Sequence, residues 1–530
     1  MKLFFISKNY APGKRLWEPK RFLMFFAIPA LFLLPPVHLL IWGGYPILRI
    51  ESLVLLGLAL LAGLLLTLTL IKYPVYLRLV ALVTTVVAVL LVGGTDLLNA
   101  ISPEEKVISP PLTSLLLSII MVGIPGFLLI RLKDNGLAIL GGVSAAILVS
   151  TILAPQPSAP ATSIHGDLGT GNQKLPPVVH IVLDEHTAIS QLPAPLAKEI
   201  EVLLDDFRLY PDAYSPFSFT PFAMMATLNP NLHDLEISPD SRRNRWLITP
   251  NKWFDYLAAE GYAISVHQPH LLQYCSGEGV VDRCYTYNPF SIGYLADLEL
   301  PAATKFRLLA NRLFLFMRLR SEFPYYLWPT AAIRVVEDAG RLLKTGARGR
   351  AFFLHLTIPH GPFLYDGNCQ LRMDISTRGS VSSYDNQLDK YYAQVQCAWR
   401  LIEQLIFLLK ENSDSKDAIV LLHGDHGLRV LPNGAPDPIG DPEGLVATAE
   451  LSTLLAVQRP TLAPGIQPGR IALPRALNAL MGQCRDEADS GIGYTVPRED
   501  FRDKLLTKPP IPLQLPPIGS ALVPVCSPTR

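Results

Sequence analysis

The chain predicts an α-helical membrane domain of about five transmembrane helices followed by an α/β three-layer domain, and three observations carry that expectation. Apolar runs of membrane-spanning length crowd the first 153 residues. Beyond them, short β-branched and aromatic runs alternate with helical stretches. Two of those runs stop abruptly at acidic turns held in glycine- or acid-rich surroundings, as strand ends that carry a site do.

The membrane part comes first. With 530 residues and 49% hydrophobic content, the chain exceeds one domain and is more apolar than an ordinary soluble enzyme. The excess lies in candidate spans from Phe22 to Ile41, Ser52 to Ile71, Leu77 to Gly94, Leu112 to Ile130 and Leu137 to Leu153, each near the ~20 residues that a bilayer core requires. A basic leader, residues 1–21, precedes them with Lys2, Lys8, Lys14, Arg15, Lys20 and Arg21. Lys72, Arg78, Arg131 and Lys133 mark the even loops, whereas Asp96, Glu104 and Glu105 mark the third. Lys and Arg accumulate on the cytoplasmic side, so the amino terminus is expected inside and everything after an odd number of spans outside. The long leader and the further spans argue against a cleaved signal peptide.

Cysteine usage agrees with that topology. All six cysteines, at positions 275, 284, 369, 397, 484 and 526, follow the membrane region, as in a compartment where disulfides form. The most local of the 15 connectivities pairs Cys275 with Cys284, Cys369 with Cys397 and Cys484 with Cys526. A formal net charge of +1 and the lack of a basic patch with interleaved aromatics give no argument for nucleic acid.

Residues 154–175 are rich in Pro, Ser, Gly and Thr and read as a flexible linker. From Pro176, runs such as Ala263 to Val266, Phe352 to Leu356 and Ile419 to Leu422 alternate with helical stretches such as Tyr391 to Leu409, which predicts a mostly parallel sheet over residues 176–507. The tail, 508–530, is proline-rich and is expected to pack as an extended strap. Phe306 to Arg320, with four arginines among large apolar residues, reads equally as an interfacial helix or as a core-packed one.

Four short motifs carry chemistry. Leu421-Leu422-His423-Gly424-Asp425-His426-Gly427 is an apolar strand ending at an Asp-His pair, and Val178-Val179-His180-Ile181-Val182-Leu183 ends at Asp184-Glu185. Carboxylate oxygens and an imidazole delivered by two strand ends imply a shared divalent cation, zinc or manganese. Thr220, in an aromatic loop that runs into an apolar helix, reads as an N-cap with Pro221 at the first helical position, where helix amides favour an anion. The cap alone accounts for Thr-Pro, and Ser215 and Ser218 are rival nucleophiles in the same loop. His360, between Pro359 and Gly361-Pro362, is rigidly presented after another buried strand, suited to contact a phosphoryl oxygen or protonate a leaving group.

The order of these motifs, after the membrane helices, resembles the alkaline phosphatase superfamily. Within it the layout is similar to the phosphoethanolamine transferases of bacterial envelopes and to lipoteichoic acid synthases. The resemblance implies an alkaline-phosphatase/sulfatase-like fold, with Asp184, Asp425 and His426 as metal ligands, Thr220 carrying a covalent phospho-intermediate and His360 contacting substrate. Glu185 falls where sulfatases have the second acid of an Asp-Asp pair and joins the expected metal set. The transferases usually place Glu where Asp184 stands, and His423 replaces a residue that is more often small. The sulfatase signature Cys-x-Pro-x-Arg occurs only as Cys526 to Arg530, far from the place a formylglycine nucleophile takes.

The expectation is therefore a multi-pass protein of the bacterial inner membrane with its catalytic domain on the periplasmic side. It would move a phosphorylated head group, phosphoethanolamine or phosphoglycerol, from a phospholipid donor to an envelope glycan or glycolipid acceptor. A membrane-anchored sulfuric-ester or phosphodiester hydrolase is the alternative, and a non-catalytic protein of polysaccharide assembly is a second.

Overall fold

The computed structural model describes residues 19–70, 162–230, 246–275, 280–288, 292–297, 300–316, 325–372, 384–429, 445–482, 492–495 and 511–514, with isolated positions between 135 and 149. The chain divides into two compact units, Met1–Ala161 with Ser291–Pro324, and Thr162–Phe290 with Tyr325–Arg530.

In the first unit, helix α1 (Pro19–Trp42) and helix α2 (Ile50–Leu70) pack against each other. The segment Ile50–Thr69 of α2 is long and apolar enough to cross a membrane, and α1 contributes the shorter apolar stretch Ile28–Ile41. Leu58, Leu61, Leu65 and Leu68 of α2 stand exposed, as side chains that meet lipid do. The third and fourth expected spans lie outside the described residues, and of the fifth only isolated helical positions are described.

The helix Ala302–Phe316 belongs to this unit and not to the α/β domain that the sequence assigns it to. The reason is burial. Leu309, with Phe306, Leu308 and Leu313, joins Leu39, Leu40, Tyr45 and Leu55 in one apolar cluster. Lys305 Nζ donates to the Ala296 carbonyl at 2.9 Å, which satisfies its buried charge with a backbone acceptor.

The second unit is built on a nine-stranded sheet. Its strands are β1 (Thr162–Gly166), β2 (Val178–Leu183), β3 (Arg208–Leu209), β5 (Ala263–Pro269), β6 (Arg283–Tyr287), β7 (Arg350–Leu356), β8 (Ile419–Gly424), β9 (Leu455–Gln458) and β10 (Gly465–Ile466); β4 (Asp212–Tyr214) pairs outside it with β11 (Arg470–Ala472). The order is β1-β6-β5-β7-β2-β8-β9-β3-β10. The five central strands β6, β5, β7, β2 and β8 are mutually parallel, and β1 and β9 run antiparallel to their neighbours.

Every residue of β2 is buried, because both faces are covered, and this is why its sequence is apolar apart from His180 and does not alternate. One face packs Val179, Ile181, Phe352 and Leu354 against helices α4 (Ala331–Lys344) and α5 (Tyr384–Glu411); α3 (Thr220–Leu228) lies among the residues of the other, with Val182, Phe353 and Leu421. Three layers result.

The expected linker is shorter than the composition suggested. Thr162 to Gly166 pair with Tyr287 to Arg283, Asn172 N donates to Gly261 O at 2.9 Å, and Gly349 N donates to Leu175 O at 3.1 Å. Two β-branched residues, Thr162 and Ile164, were hidden by their Gly- and Ser-rich surroundings, and an edge strand needs pairing on only one side. Within the proline-rich tail, β13 (Ile511–Gln514) pairs antiparallel with β12 (Ile492–Thr495).

Cys275 is bonded to Cys284 and Cys369 to Cys397, two of the three expected bridges. Cys484, Cys526 and the Cys526 to Arg530 signature lie outside the described residues.

Candidate metal centre and active site

Parallel neighbours β7, β2 and β8 end side by side, and their carboxyl ends form the crevice where open α/β sheets place ligands. Asp184 follows β2 directly, fixed by its N–H to the Leu356 carbonyl at 3.0 Å. Asp425 follows β8, with its N–H on the Leu183 carbonyl at 3.3 Å. The backbone closes tightly here. A Cβ on Gly424 would stand 2.5 Å from the His186 carbonyl, and one on Gly427 would stand 2.1 Å from the Ala449 carbonyl, so both glycines are required by space.

Asp184, Asp425 and His426 converge, all buried, with their ligand atoms within 4.8 Å of one another. Asp425 Oδ1 accepts the N–H groups of Glu185 and His426, both at 2.8 Å, while Asp425 Oδ2, 3.4 Å from His426 Nε2, is buried with no hydrogen-bond partner among the described residues. The Nδ1 of His426 contacts the Gly427 carbonyl at 2.8 Å. A carbonyl only accepts, so the proton sits on Nδ1 and Nε2 turns its lone pair toward the carboxylates. Burial pushes the Asp425 carboxyl up to about 6, against the hydrogen bonds it accepts, and burial holds His426 neutral, well below its ordinary range.

These donors fit a divalent cation. A buried carboxylate oxygen with no partner costs several kcal/mol on the order of a lost charge-assisted bond, and a cation between two carboxylates and a neutral imidazole removes that cost. Hard oxygens with one imidazole suit zinc or manganese.

Thr220 Oγ1 lies 3.4 Å from Asp184 Oδ1 and 3.3 Å from His426 Nε2. The structure shifts its helix position by one residue. Phe219 is the N-cap, extended at φ −133° and ψ 120°, and Thr220 opens the helix. The Thr220 hydroxyl is thus turned to the ligand trio and is not the helix cap that the sequence suggested. Ser215 Oγ donates to Phe217 O at 2.9 Å, a local turn bond, and Ser218 is buried in the same loop.

Glu185 stands apart from the trio that the sequence assigned it to. It adopts a left-handed backbone at φ 66°, which turns its buried carboxylate toward Arg429. Arg429 N donates to Glu185 Oε1 at 3.0 Å and Arg429 Nε to the same oxygen at 3.3 Å. Strain of this kind, about 1–3 kcal/mol for a non-glycine residue, collects at functional sites.

His360 sits at the mouth with its side chain 22% exposed, 3.9 Å from Glu185 Oε2 and 3.2 Å from Arg429 Nη2. Gln394 of α5 clamps its loop, donating to the Pro359 and His360 carbonyls at 3.0 and 2.8 Å and accepting Leu364 N at 2.7 Å.

Two residues near the centre escaped the sequence reading. Arg429 follows Gly427-Leu428 with no motif to mark it; burial disfavours its charge, and the carboxylates of Glu185, Asp184, Asp425 and Glu450 more than offset that. His355 stands near the end of β7, where a strand interior hides it. Its Nδ1 meets Tyr274 Oη at 2.8 Å, and its Nε2 is 4.0 Å from Asp184 Oδ2. His423, the other departure noted above, is buried beneath the centre with its Nε2 2.7 Å from His180 Nε2 and its Nδ1 on the Gly424 carbonyl.

Neither a family model nor a curated relative matches the chain. Solved structures do. The likeness is to sulfatases and phosphoethanolamine transferases. The C-terminal periplasmic domain of EcEptC from Escherichia coli aligns at 12% identity over 61% of this chain and 84% of that one, with a TM-score of 0.37. The soluble domain of lipooligosaccharide phosphoethanolamine transferase A from Neisseria meningitidis aligns at 11% over 61% and 91%, with a TM-score of 0.36. The putative sulfatase yidJ from Bacteroides fragilis aligns at 16% over 64% and 80%, also with a TM-score of 0.36. At such identities and TM-scores no residue role passes from these proteins to this chain.

Proposed function

We propose that this chain is a membrane-anchored, metal-dependent transferase of the alkaline phosphatase superfamily. It moves a phosphorylated head group, phosphoethanolamine or phosphoglycerol, from a phospholipid to an envelope glycan or glycolipid. The observation that carries this reading is the convergence of the Thr220 hydroxyl with Asp184 and His426, all three buried, the latter two at the ends of two adjacent parallel strands.

Asp184, Asp425 and His426 would hold the cation, zinc or manganese. When bound it supplies Lewis-acid polarisation and makes a nearby hydroxyl nucleophilic near neutral pH. The chain's own groups do the rest. Thr220 Oγ1 attacks the lipid phosphorus, the bond to the glyceride oxygen breaks, and diacylglycerol leaves with the proton that Oγ1 gives up. An acceptor hydroxyl then attacks the phosphorylated Thr220, and the bond to Oγ1 breaks. Asp184, facing Oγ1, receives the hydroxyl hydrogen bond and orients the attack. His360, at the mouth, is the group that meets the incoming or leaving oxygen. The apolar exposed face of α2 suits a donor that is itself a lipid.

With water as acceptor the same residues make a phosphodiester or sulfuric-ester hydrolase, a reading favoured by the partial solvent exposure of His360. The test is diacylglycerol release from phosphatidylethanolamine or phosphatidylglycerol by the zinc- or manganese-loaded protein, with and without chelator. Chelator-sensitive release supports the transferase. Free head group in the absence of any glycan selects the hydrolase, and sulfate release from an aryl sulfate with neither lipid cleaved overturns the phosphoryl reading.

A further inference from the structure

We propose that Arg429 is a positioning residue of this centre, holding His360 as a hydrogen-bond acceptor and Glu185 as its own counter-ion. The inference rests on the transferase reading above for its chemistry but on geometry for its substance. One guanidinium bridges two groups that the sequence reading had given separate duties. Arg429 Nε and N reach Glu185 Oε1 at 3.3 and 3.0 Å, and Nη2 reaches His360 Nε2 at 3.2 Å. The bridge is built into the interior: the Arg429 side chain is 13% exposed and that of Glu185 is fully buried.

Donor and acceptor chemistry then assigns the tautomer of His360. A guanidinium carries donors only, so Nε2 must offer its lone pair. Nδ1 contacts the Gly361 carbonyl, which only accepts, so Nδ1 carries the proton. The one lone pair of Nε2 is therefore held by the guanidinium, and His360 is fixed as a single tautomer in one orientation at the mouth. In the second half of the reaction the acceptor oxygen forms its bond to phosphorus as the bond from phosphorus to Thr220 Oγ1 breaks, and the acceptor's proton passes to Oγ1, restoring the hydroxyl. His360, so fixed, meets the incoming oxygen beside it.

Glu185 explains why an arginine is used. Its neighbour in sequence is Asp184, and a buried carboxylate there without its guanidinium would turn to the cation for charge compensation. Arg429 keeps the two acids apart in function, one for the cation and one for the arginine. Lysine lacks the planar fork that reaches both partners at once.

The test uses the full chain, zinc-loaded in detergent, and the variants Arg429→Met and Arg429→Lys, the second retaining a cation for Glu185 if the first does not fold. A long-range proton–nitrogen spectrum, with His360→Gln for assignment, reads the tautomer directly. Turnover of bis(4-nitrophenyl) phosphate reads kinetics without a glycan. The wild type is expected to show His360 protonated on Nδ1, and the variants to lose that single form. Their kcat should fall about 10- to 100-fold, the usual effect of removing an orienting partner, with KM nearly unchanged. An unchanged tautomer with unchanged kcat overturns the inference, as does a rise in KM alone, which would make Arg429 a substrate contact. If the wild type leaves the diester intact, the transferase reading fails while the spectrum still decides the role of Arg429.

Discussion

Two buried polar clusters in the α/β domain differ in one respect, whether their polar atoms are matched. On the side of the sheet covered by α4, Ser265, His267, Tyr287 and Asp338 form a chain. His267 Nε2 is 3.4 Å from Ser265 Oγ, His267 Nδ1 is 2.8 Å from Tyr287 Oη, and Tyr287 donates to Asp338 Oδ2 at 2.9 Å, with Arg341 on the other carboxylate oxygen. A serine, a histidine and an acid in line could pass for a catalytic set. Its members instead bond one another in sequence. At the ends of β2, β7 and β8, by contrast, Asp425 Oδ2 and His355 Nε2 are buried with no hydrogen-bond partner among the described residues, and three ligand atoms face one point. Matched polar groups stabilise; unmatched ones that converge await a ligand.

Substitutions should separate the clusters. The largest effect is expected at Thr220. Thr220→Ala should lower diester turnover by at least about 10³-fold, as loss of a nucleophile does, while the protein keeps its metal content and its melting temperature. Activity retained within tenfold would move the nucleophile to Ser215 or Ser218.

Next comes Asp425→Asn. Zinc content measured by atomic emission should fall below one tenth of wild type, since an amide binds a cation far less well than a carboxylate. The sign in the metal-free protein is opposite. Burial raises the Asp425 carboxyl to about 6, so its contribution to stability is present at acid pH and is lost as pH rises through that value. In chelator at pH 7, therefore, the Asn variant should be more stable than wild type by about 1–3 kcal/mol in urea unfolding. A destabilised variant under those conditions would mean that Asp425 is structural.

The matched cluster should respond in reverse. Tyr287→Phe removes the bond to a buried carboxylate and should cost about 1–3 kcal/mol in the same unfolding experiment, with kcat for the diester unchanged within twofold. A large kcat loss with stability intact would make this chain part of the site.

The smallest effect is a slope. Burial, aided by the Arg283 charge, lowers His267 to about 3, so its contribution is full above the ordinary imidazole range and is lost as pH falls toward 3. One such group contributes about 1.4 kcal/mol per pH unit below about 6.5. His267→Gln should flatten the fall of stability between pH 6.5 and 5 by that amount, and an unaltered slope would mean that His267 titrates normally.

The two clusters also differ in how they show in the sequence. The candidate metal centre is local: Asp184 and Asp425-His426 sit where apolar strands stop, and the strands are adjacent because their largely apolar runs suit a buried parallel sheet. Those positions, His360 and Thr220 could all be picked out. What joins them is not local. The Arg429 bridge spans 244 positions to Glu185 and 69 to His360, and no spacing rule predicts it. Glu185 could not be told from Asp184 because adjacent acids look equivalent on paper, whereas a left-handed backbone turns its carboxylate toward Arg429. The edge strand β1 was missed because one-sided pairing needs little apolar patterning. The helix Ala302–Phe316 was assigned to the wrong unit because its partner surface lies some 250 residues earlier, on α1 and α2.

The most direct test of the central claim is the intact mass of the purified, metal-loaded protein after incubation with phosphatidylethanolamine or phosphatidylglycerol, beside Thr220→Ala. The account predicts a head-group adduct on the wild type, absent from the variant and abolished by chelator, with a mass that names the donor. An adduct on both proteins, or none on either with metal bound, would contradict it.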